Sequence, residues 1–300
     1  MSRQEGIQRY QFIIHRLSTR PSSFKEIQDY LKIQAELTED NLNCSIRTFQ
    51  RDIKDIERLY DIVIKYDRSM KVYRIIHDGR EKHSERLMET FDLYNAIKVS
   101  NNFGNHLLFE NRRALGTEYM HGLLHAIKSR KEISFSYTSY YNDSVSKRTV
   151  QPLAIKEARQ RWYLLGKDTR DEVIKSFGLD RISDLEISNR SFDELKEYDP
   201  EKDYRYSFGI INGTDEKPEK IELSFSPKEG RFVKSLPLHH SQTLVAETEK
   251  ETIFKYHLIP TYDFRMEILS FGNQVQVLKP KSLRTKIIQQ LKESLEVYKK

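Results

Sequence analysis

Arg161-Trp162-Tyr163-Leu164-Leu165, followed closely by Ile174-Lys175-Ser176-Phe177-Gly178-Leu179-Asp180-Arg181-Ile182, decides the reading of this chain, and it holds the only tryptophan. On a strand, successive side chains alternate, so Arg161, Tyr163 and Leu165 share one face and Trp162 and Leu164 the other. A guanidinium and a phenol then stand together above a face suited to a packed core. Working outward, Ile133, Phe135 and Tyr137 alternate with Glu132, Ser134 and Ser136, and further strands are predicted over 145–156, 161–167, 173–179 and 185–188. Short strands joined by tight turns imply a small β-barrel.

Both quoted segments resemble the signature of the WYL-domain transcriptional regulators of bacteria, whose sensory domain is named for its Trp-Tyr-Leu triplet and carries a similar Phe-x-Leu-Asp-Arg-Ile run. The resemblance implies an N-terminal DeoR-like winged helix-turn-helix, a small Sm/SH3-like WYL barrel and an appended WCX-like domain. Arg148 matches the family's basic residue before Val150-Gln151-Pro152, and Arg181 the arginine of the Asp-Arg-Ile ending. Two positions depart from the pattern: Lys175 stands where arginine is common, and Gly178 replaces a frequent basic residue. A less cationic pocket, with a different ligand, is therefore expected.

The chemistry of the barrel residues points the same way. Arg148, Arg161, Lys175 and Arg181 supply cations, and Tyr137 and Tyr163 offer ring faces and hydroxyls. Guanidinium groups take phosphate bidentately and aromatic faces stack on bases, so a nucleotide or single-stranded fragment is the expected ligand. Trp162, Leu164 and Phe177 read as ordinary core.

Toward the N-terminus, Ile7, Tyr10, Ile13, Ile14 and Leu17 recur at helical spacing up to a break at Thr19-Arg20-Pro21. Ser23-Phe24-Lys25-Glu26 reads as a capping box for a second helix with Phe24, Ile27, Tyr30 and Leu31 inward. A long connection from residue 32 to 44 leads to Ser45, a cap for a third helix with a predicted buried row of Ile46, Phe49, Ile53 and Ile56. Two β-rich runs, 62–66 and 71–76, follow around the turn Asp67-Arg68-Ser69. Three helices and a hairpin make a winged helix.

If that row is buried, Arg47, Gln50, Arg51 and Lys54 form a stripe at i, i+3, i+4 and i+7 on the opposite side. Arginine suits guanine, glutamine adenine and lysine phosphate, which is the chemistry of a major-groove reader. A charged face is also the ordinary solvated side of a surface helix. Ile46-Arg47-Thr48-Phe49-Gln50-Arg51-Asp52-Ile53 resembles the family's recognition helix, with an Arg-Thr pair one turn before an Arg-Asp pair. Ser45 and Thr48 would hold a phosphate at the helix start, and Arg68 and Lys71 would touch the flanking backbone. Asp52 is expected to pair locally.

The expected organisation is multidomain α+β: a winged helix-turn-helix over 1–79, a helical linker over 80–130 with helices near 87–99 and 117–129, the barrel over 131–198, and a ferredoxin-like domain over 219–300. The last rests on the order strand, helix, strand, strand, helix, strand, helix. Its terminal stretch from Lys279 to Lys300 carries 7 basic and 2 acidic residues, suited to DNA, a neighbouring subunit or plain solvation.

Composition narrows the classes. The 300 residues are 32% charged and 37% hydrophobic, with a net charge of +6, which only weakly favours polyanions. No apolar run approaches membrane-spanning length and the start lacks the apolar core of a secretion signal, so a cytoplasmic protein without membrane contact is expected. The single cysteine, Cys44, excludes an intramolecular disulfide and a multi-cysteine zinc site. His121 and His125 lack a third ligand, and His239-His240 would diverge on a strand. No cofactor, metal or enzymatic activity is expected. The reading is a homodimeric regulator that binds double-stranded DNA and senses a nucleotide or nucleic-acid fragment; the alternatives are an RNA- or single-strand-binding module and a metal-dependent nuclease.

Overall fold

The computed structural model describes residues 3–38, 41–76, 90, 93, 115–213 and 216–299. The chain divides into two compact units, 1–111 and 112–300. The helix expected near 87–99 lies outside the described residues except for Thr90 and Leu93. Among the described residues, no helix is long and apolar enough to cross a membrane.

The first unit contains α1 (Arg3–Thr19), α2 (Phe24–Thr38), α3 (Ile46–Tyr60) and an antiparallel hairpin of β1 (Val63–Asp67) and β2 (Val72–Ile76). The α2 capping box forms: the Ser23 amide donates to Glu26 Oε2 at 2.8 Å and the Glu26 amide to Ser23 Oγ at 3.3 Å. Ser45 caps α3 by accepting from the Thr48 amide, and Asp61 ends it in a left-handed conformation whose amide bonds Glu57. Backbone bonds between Ser22 and Tyr73 tie the start of α2 to the hairpin. Asp67 Oδ1 closes the hairpin turn by accepting from the Ser69 and Met70 amides.

Ile13, Ile14, Ile27, Leu31, Leu42, Phe49, Ile56 and Ile62 form the core of this unit. Three details correct the sequence reading. Ile7 and Ile46 are exposed, because each lies at a helix start, ahead of the turns that meet the core. The inward row of α3 is instead Phe49, Asp52 and Ile56, with Ile53 half-buried. Helix α2 also runs on to Thr38, so much of the expected long connection is helical.

In the second unit, a 3₁₀ turn (Thr117–Tyr119) and α4 (Met120–Ser129) precede β3 (Lys131–Ser139), β4 (Ser144–Ala158), β5 (Arg161–Asp168), β6 (Ile174–Gly178) and β7 (Ile182–Ser191). The five strands pair antiparallel in the order β6-β5-β4-β3-β7. Leu123 and Ala126 of α4 complete a core of Ile133, Phe135, Val150, Leu164, Phe177, Leu179 and Ile182, with Trp162 packed at its margin. Gly116, at φ 81, is required where α4 begins: a Cβ there would lie 2.3 Å from the Leu179 carbonyl carbon.

A short helix α5 (Pro200–Tyr204) leads to β8 (Glu219–Phe225), α6 (Pro227–Ser235), β9 (Thr243–Glu247), β10 (Thr252–Leu258), α7 (Tyr262–Ser270), β11 (Val275–Lys279) and α8 (Lys281–Val297). This is the element order expected from the sequence. The strands form an antiparallel sheet in the order β11-β8-β10-β9, and Phe264, Ile268, Leu283 and Ile287 bring α7 and α8 onto its core. His239 and His240 lie in the α6–β9 loop, not on a strand, and their rings stack with centroids 4.0 Å apart. That corrects the expected divergence, since the alternation of a strand does not apply in a loop.

The strand sheet and this α+β fold are joined at the turn between β4 and β5. Arg159, in the turn between those strands, pairs with Glu267 of α7 at 3.3 Å.

Candidate nucleic-acid interface and ligand face

Helix α3 presents the expected stripe. Arg47, Gln50, Arg51 and Lys54 are all exposed, opposite buried Phe49 and Ile56. Arg68 and Lys71 are exposed at the hairpin turn. The Ser45 and Thr48 hydroxyls lie 3.0 Å apart and are engaged at the helix start. The outward side of α3 is thus a row of three cations and an amide held on a rigid element.

What fixes that row outward is a pair the sequence reading missed. Arg9 of α1 grips Asp52 with two bonds, Nε to Oδ2 at 2.7 Å and Nη2 to Oδ1 at 3.1 Å. The two side chains are 1% and 0% exposed. Burial works against the Arg9 charge, but the hydrogen bond and charge of Asp52 outweigh it and hold the guanidinium above its ordinary value. Asp52 therefore pairs 43 residues away in sequence, not locally. Its signal was available: positions 49, 52 and 56 follow the helical repeat, so Asp52 had to face inward. Tyr10 adds a second tie by donating to Asp55 at 3.1 Å.

On the five-stranded sheet, the six expected ligand residues fall into two groups. Arg148 and Lys175 each lie 3.0 Å from Oδ2 of Asp168, whose side chain is fully buried, and Lys175 also pairs with Asp171. Burial would raise the Asp168 carboxyl, but the Arg170 amide, Lys175 and Arg148 hold it below the ordinary carboxylate value. Two cations facing two carboxylates are locally neutral. Arg148 and Lys175 thus both serve a buried aspartate.

The second group retains ligand chemistry. Arg181 lies over the rings of Tyr137 and Tyr140, at 5.3 Å and 5.4 Å from their centroids. Arg161 pairs with Asp180 at 2.9 Å, and the Gly178 amide donates to Tyr137 Oη at 3.3 Å. Tyr163 sits opposite Gly178 across β5 and β6, and burial raises its phenol while Arg161 and Arg181 pull the other way. Asp180 Oδ1 and Arg181 Nε are buried without a hydrogen-bond partner and stand 3.8 Å apart. The two form a long ion pair without a hydrogen bond, and a ligand edge carrying both a donor and an acceptor would suit them.

Gly178 acquires a physical reason here. A Cβ at this position would lie 2.6 Å from Asp180 Oδ1 and 2.7 Å from Arg181 Nη2. The space a larger residue needs is filled by the Arg181 and Asp180 heads. Leu165, expected to share the open face, is only 1% exposed, so that face is covered at its far end. Tyr140, 66% exposed, and Tyr141, 97% exposed, extend the aromatic surface beyond anything the strand pattern indicated.

The model of the WYL domain matches residues 118–187, and that of the WCX domain matches residues 217–295. No curated protein matches the sequence. Among solved structures, the chain is similar to proteasome accessory factor B/C (PafBC) of Arthrobacter aurescens at 15% identity and a TM-score of 0.35, covering 95% of this chain and 46% of that one. It is also similar to a CRISPR Cas-related protein at 13% identity and a TM-score of 0.41, covering 97% of this chain and 84% of that one. The chain thus spans less than half the length of the first of these. With its signature on β5 and β6, the chain carries a WYL domain followed by a WCX domain.

Proposed function

We propose that this protein is a DNA-binding transcriptional regulator whose WYL domain senses a ligand. In this reading the first unit is a DeoR-like winged helix-turn-helix, the five-stranded sheet an Sm/SH3-like barrel, and the WCX module a ferredoxin-like fold. The single observation that carries it is the exposed Arg47, Gln50, Arg51 and Lys54 row on a helix whose other side is locked by Arg9 and Asp52. Duplex DNA is the partner, with Arg51 and Gln50 facing bases and Lys54, Arg68 and Lys71 facing phosphates. The protein acts in the cytoplasm as a homodimer, so that two α3 helices meet two half-sites.

The effector is a nucleotide or nucleic-acid fragment held by Tyr137, Tyr163, Arg161 and Arg181. It regulates only by binding two states of the protein with different affinity. No cofactor, metal or catalytic step enters the proposal. Arg51→Ala is expected to weaken operator binding by about 1 to 3 kcal/mol in a salt-controlled shift assay. Unchanged affinity removes α3 as the reader.

The exposed Tyr140 and Tyr141 beside Arg181 favour a second reading, in which the barrel is itself the main surface for RNA or single strands. Competition between duplex and single-stranded oligonucleotides separates the two. Loss of duplex preference in Arg47→Ala/Arg51→Ala supports the first, and loss of binding only in Arg181→Ala supports the second.

A further inference from the structure

Helix α8 carries a surface that its own domain leaves open. It joins the WCX core through Leu283 and Ile287, in its first two turns. Beyond them, every residue from Leu291 to Lys299 is exposed. Ile288, Leu291 and Leu295 are 45%, 49% and 54% exposed, and Tyr298 is 88% exposed. These four recur at steps of three, four and three residues, the spacing of a seam between two helices. At 3.6 residues per turn the seam lies about a quarter turn from Leu283 and Ile287, so α8 buries one apolar stripe and offers a second to solvent.

The polar side of the same helix is bonded along itself. Gln289 Nε2 donates to Glu293 at 2.8 Å, and Lys299 Nζ to Glu296 at 2.7 Å. Charge then selects what covers the seam and in which direction. Two copies of α8 run parallel would set Lys292 against Lys292 and Glu296 against Glu296. Run antiparallel about a two-fold axis between Leu291 and Leu295, Leu291 of one copy meets Leu295 of the other, and Ile288 meets Tyr298. Lys292 then lies about two residues, or about 3 Å along the axis, from the other copy's Glu296, and the two-fold makes this pairing twice. The antiparallel pair also sets the two helix dipoles in opposition. One helix of 17 residues a side falls short of the roughly 20 to 30 residues of a standard interface, so the association is weak and in the micromolar range.

We propose that α8 is a self-pairing surface: it docks antiparallel on α8 of a second copy of this chain through Ile288, Leu291, Leu295 and Tyr298, with Lys292 reaching Glu296 across the axis. The inference rests on the homodimer of the functional reading and names the surface that forms it. The DNA contacts of α3 and the Arg181 face play no part in it.

The test is sedimentation of the full chain without DNA over a micromolar concentration series. Wild type is expected to pass from monomer to dimer. Leu291→Gln/Leu295→Gln should raise the dimer Kd at least about a hundredfold. Both side chains lie outside the core and glutamine is a good helix former, so the Tm of the dilute monomer should not change. Lys292→Glu should weaken pairing about three- to tenfold and Lys292→Glu/Glu296→Lys should restore it, a loss and rescue that a parallel pair, with like residues facing, does not give. A dimer equally tight in the leucine variant overturns the α8 surface and leaves a homodimer formed elsewhere. Loss in Lys292→Glu without rescue overturns the antiparallel register. A monomer at every concentration overturns both the pairing and the homodimer, while DNA reading by α3 is judged separately by Arg51→Ala. Hydrogen-exchange protection over 288–298 that does not change with concentration shows the seam covered by its own chain, and also overturns the proposal.

Discussion

Asp52→Asn removes the charge from a pair that unit 1 holds out of water, and the consequence can be sized from its geometry. Two forked bonds of 2.7 Å and 3.1 Å join side chains that are 1% and 0% exposed. Deleting one partner of such a pair strands the other charge, which typically costs about 3 to 5 kcal/mol. Asparagine still offers one acceptor oxygen, so the lower end, about 3 kcal/mol, is expected. With a urea dependence of about 1 to 1.5 kcal/mol per molar for so small a unit, the midpoint of its unfolding should fall by about 2 to 3 M.

Replacing both partners behaves differently, because no charge is left stranded. Arg9→Met/Asp52→Leu should lie within about 1 kcal/mol of wild type or above it, giving a large coupling energy in the double-mutant cycle. Urea melts followed by helix circular dichroism measure all four proteins, and a shift assay reports whether α3 still presents Arg47 and Arg51. A midpoint change below about 0.5 M for Asp52→Asn, or a double variant as unstable as the sum of the singles, refutes the reasoning.

His239 makes stability depend on pH. Burial, followed by the adjacent His240, holds its folded value down to about 4, below the ordinary 6.5, so the unfolded chain takes up the proton first. The contribution is complete above pH 6.5 and is lost as pH falls toward 4, to a limit of about 3 kcal/mol; melts of wild type and His239→Gln between these pH values should converge. Asp168→Asn weakens the charged bonds from Arg148 and Lys175 and should cost about 2 kcal/mol, read as a lower Tm with ligand binding at Arg181 retained. Gly116→Ala and Gly178→Ala should separate stability from binding. The first meets backbone at φ 81 and should destabilise by more than about 2 kcal/mol. The second meets only the ends of Asp180 and Arg181, so it should change stability by less than about 1 kcal/mol and reduce oligonucleotide binding in a fluorescence titration.

Much of the local architecture was legible in the chain. Period-two alternation located β3 to β7, and Ser23, Glu26 and Ser45 marked the starts of α2 and α3, because alternation and capping depend on residues a few positions apart. The α3 stripe was legible for the same reason, since exposure of Arg47, Gln50, Arg51 and Lys54 follows once Phe49 and Ile56 face inward. The Arg161-Trp162-Tyr163-Leu164-Leu165 signature located the WYL domain, and the strand and helix order beyond residue 219 anticipated the elements that follow.

Other properties depended on which distant segments meet. Arg9 reads as one more surface cation until α1 packs on α3 and closes it on Asp52, 43 residues away. That Arg148 and Lys175 share one buried partner, Asp168, is decided only by the sheet that brings them together. Arg181 has meaning only with Tyr137 and Tyr140 around it, and His239 only once the WCX fold buries it. Periodicity tells which way a side chain points, because that is set by the backbone it stands on. The partner it finds there, and hence its charge state and use, is set by contacts between segments that the order of residues does not encode locally.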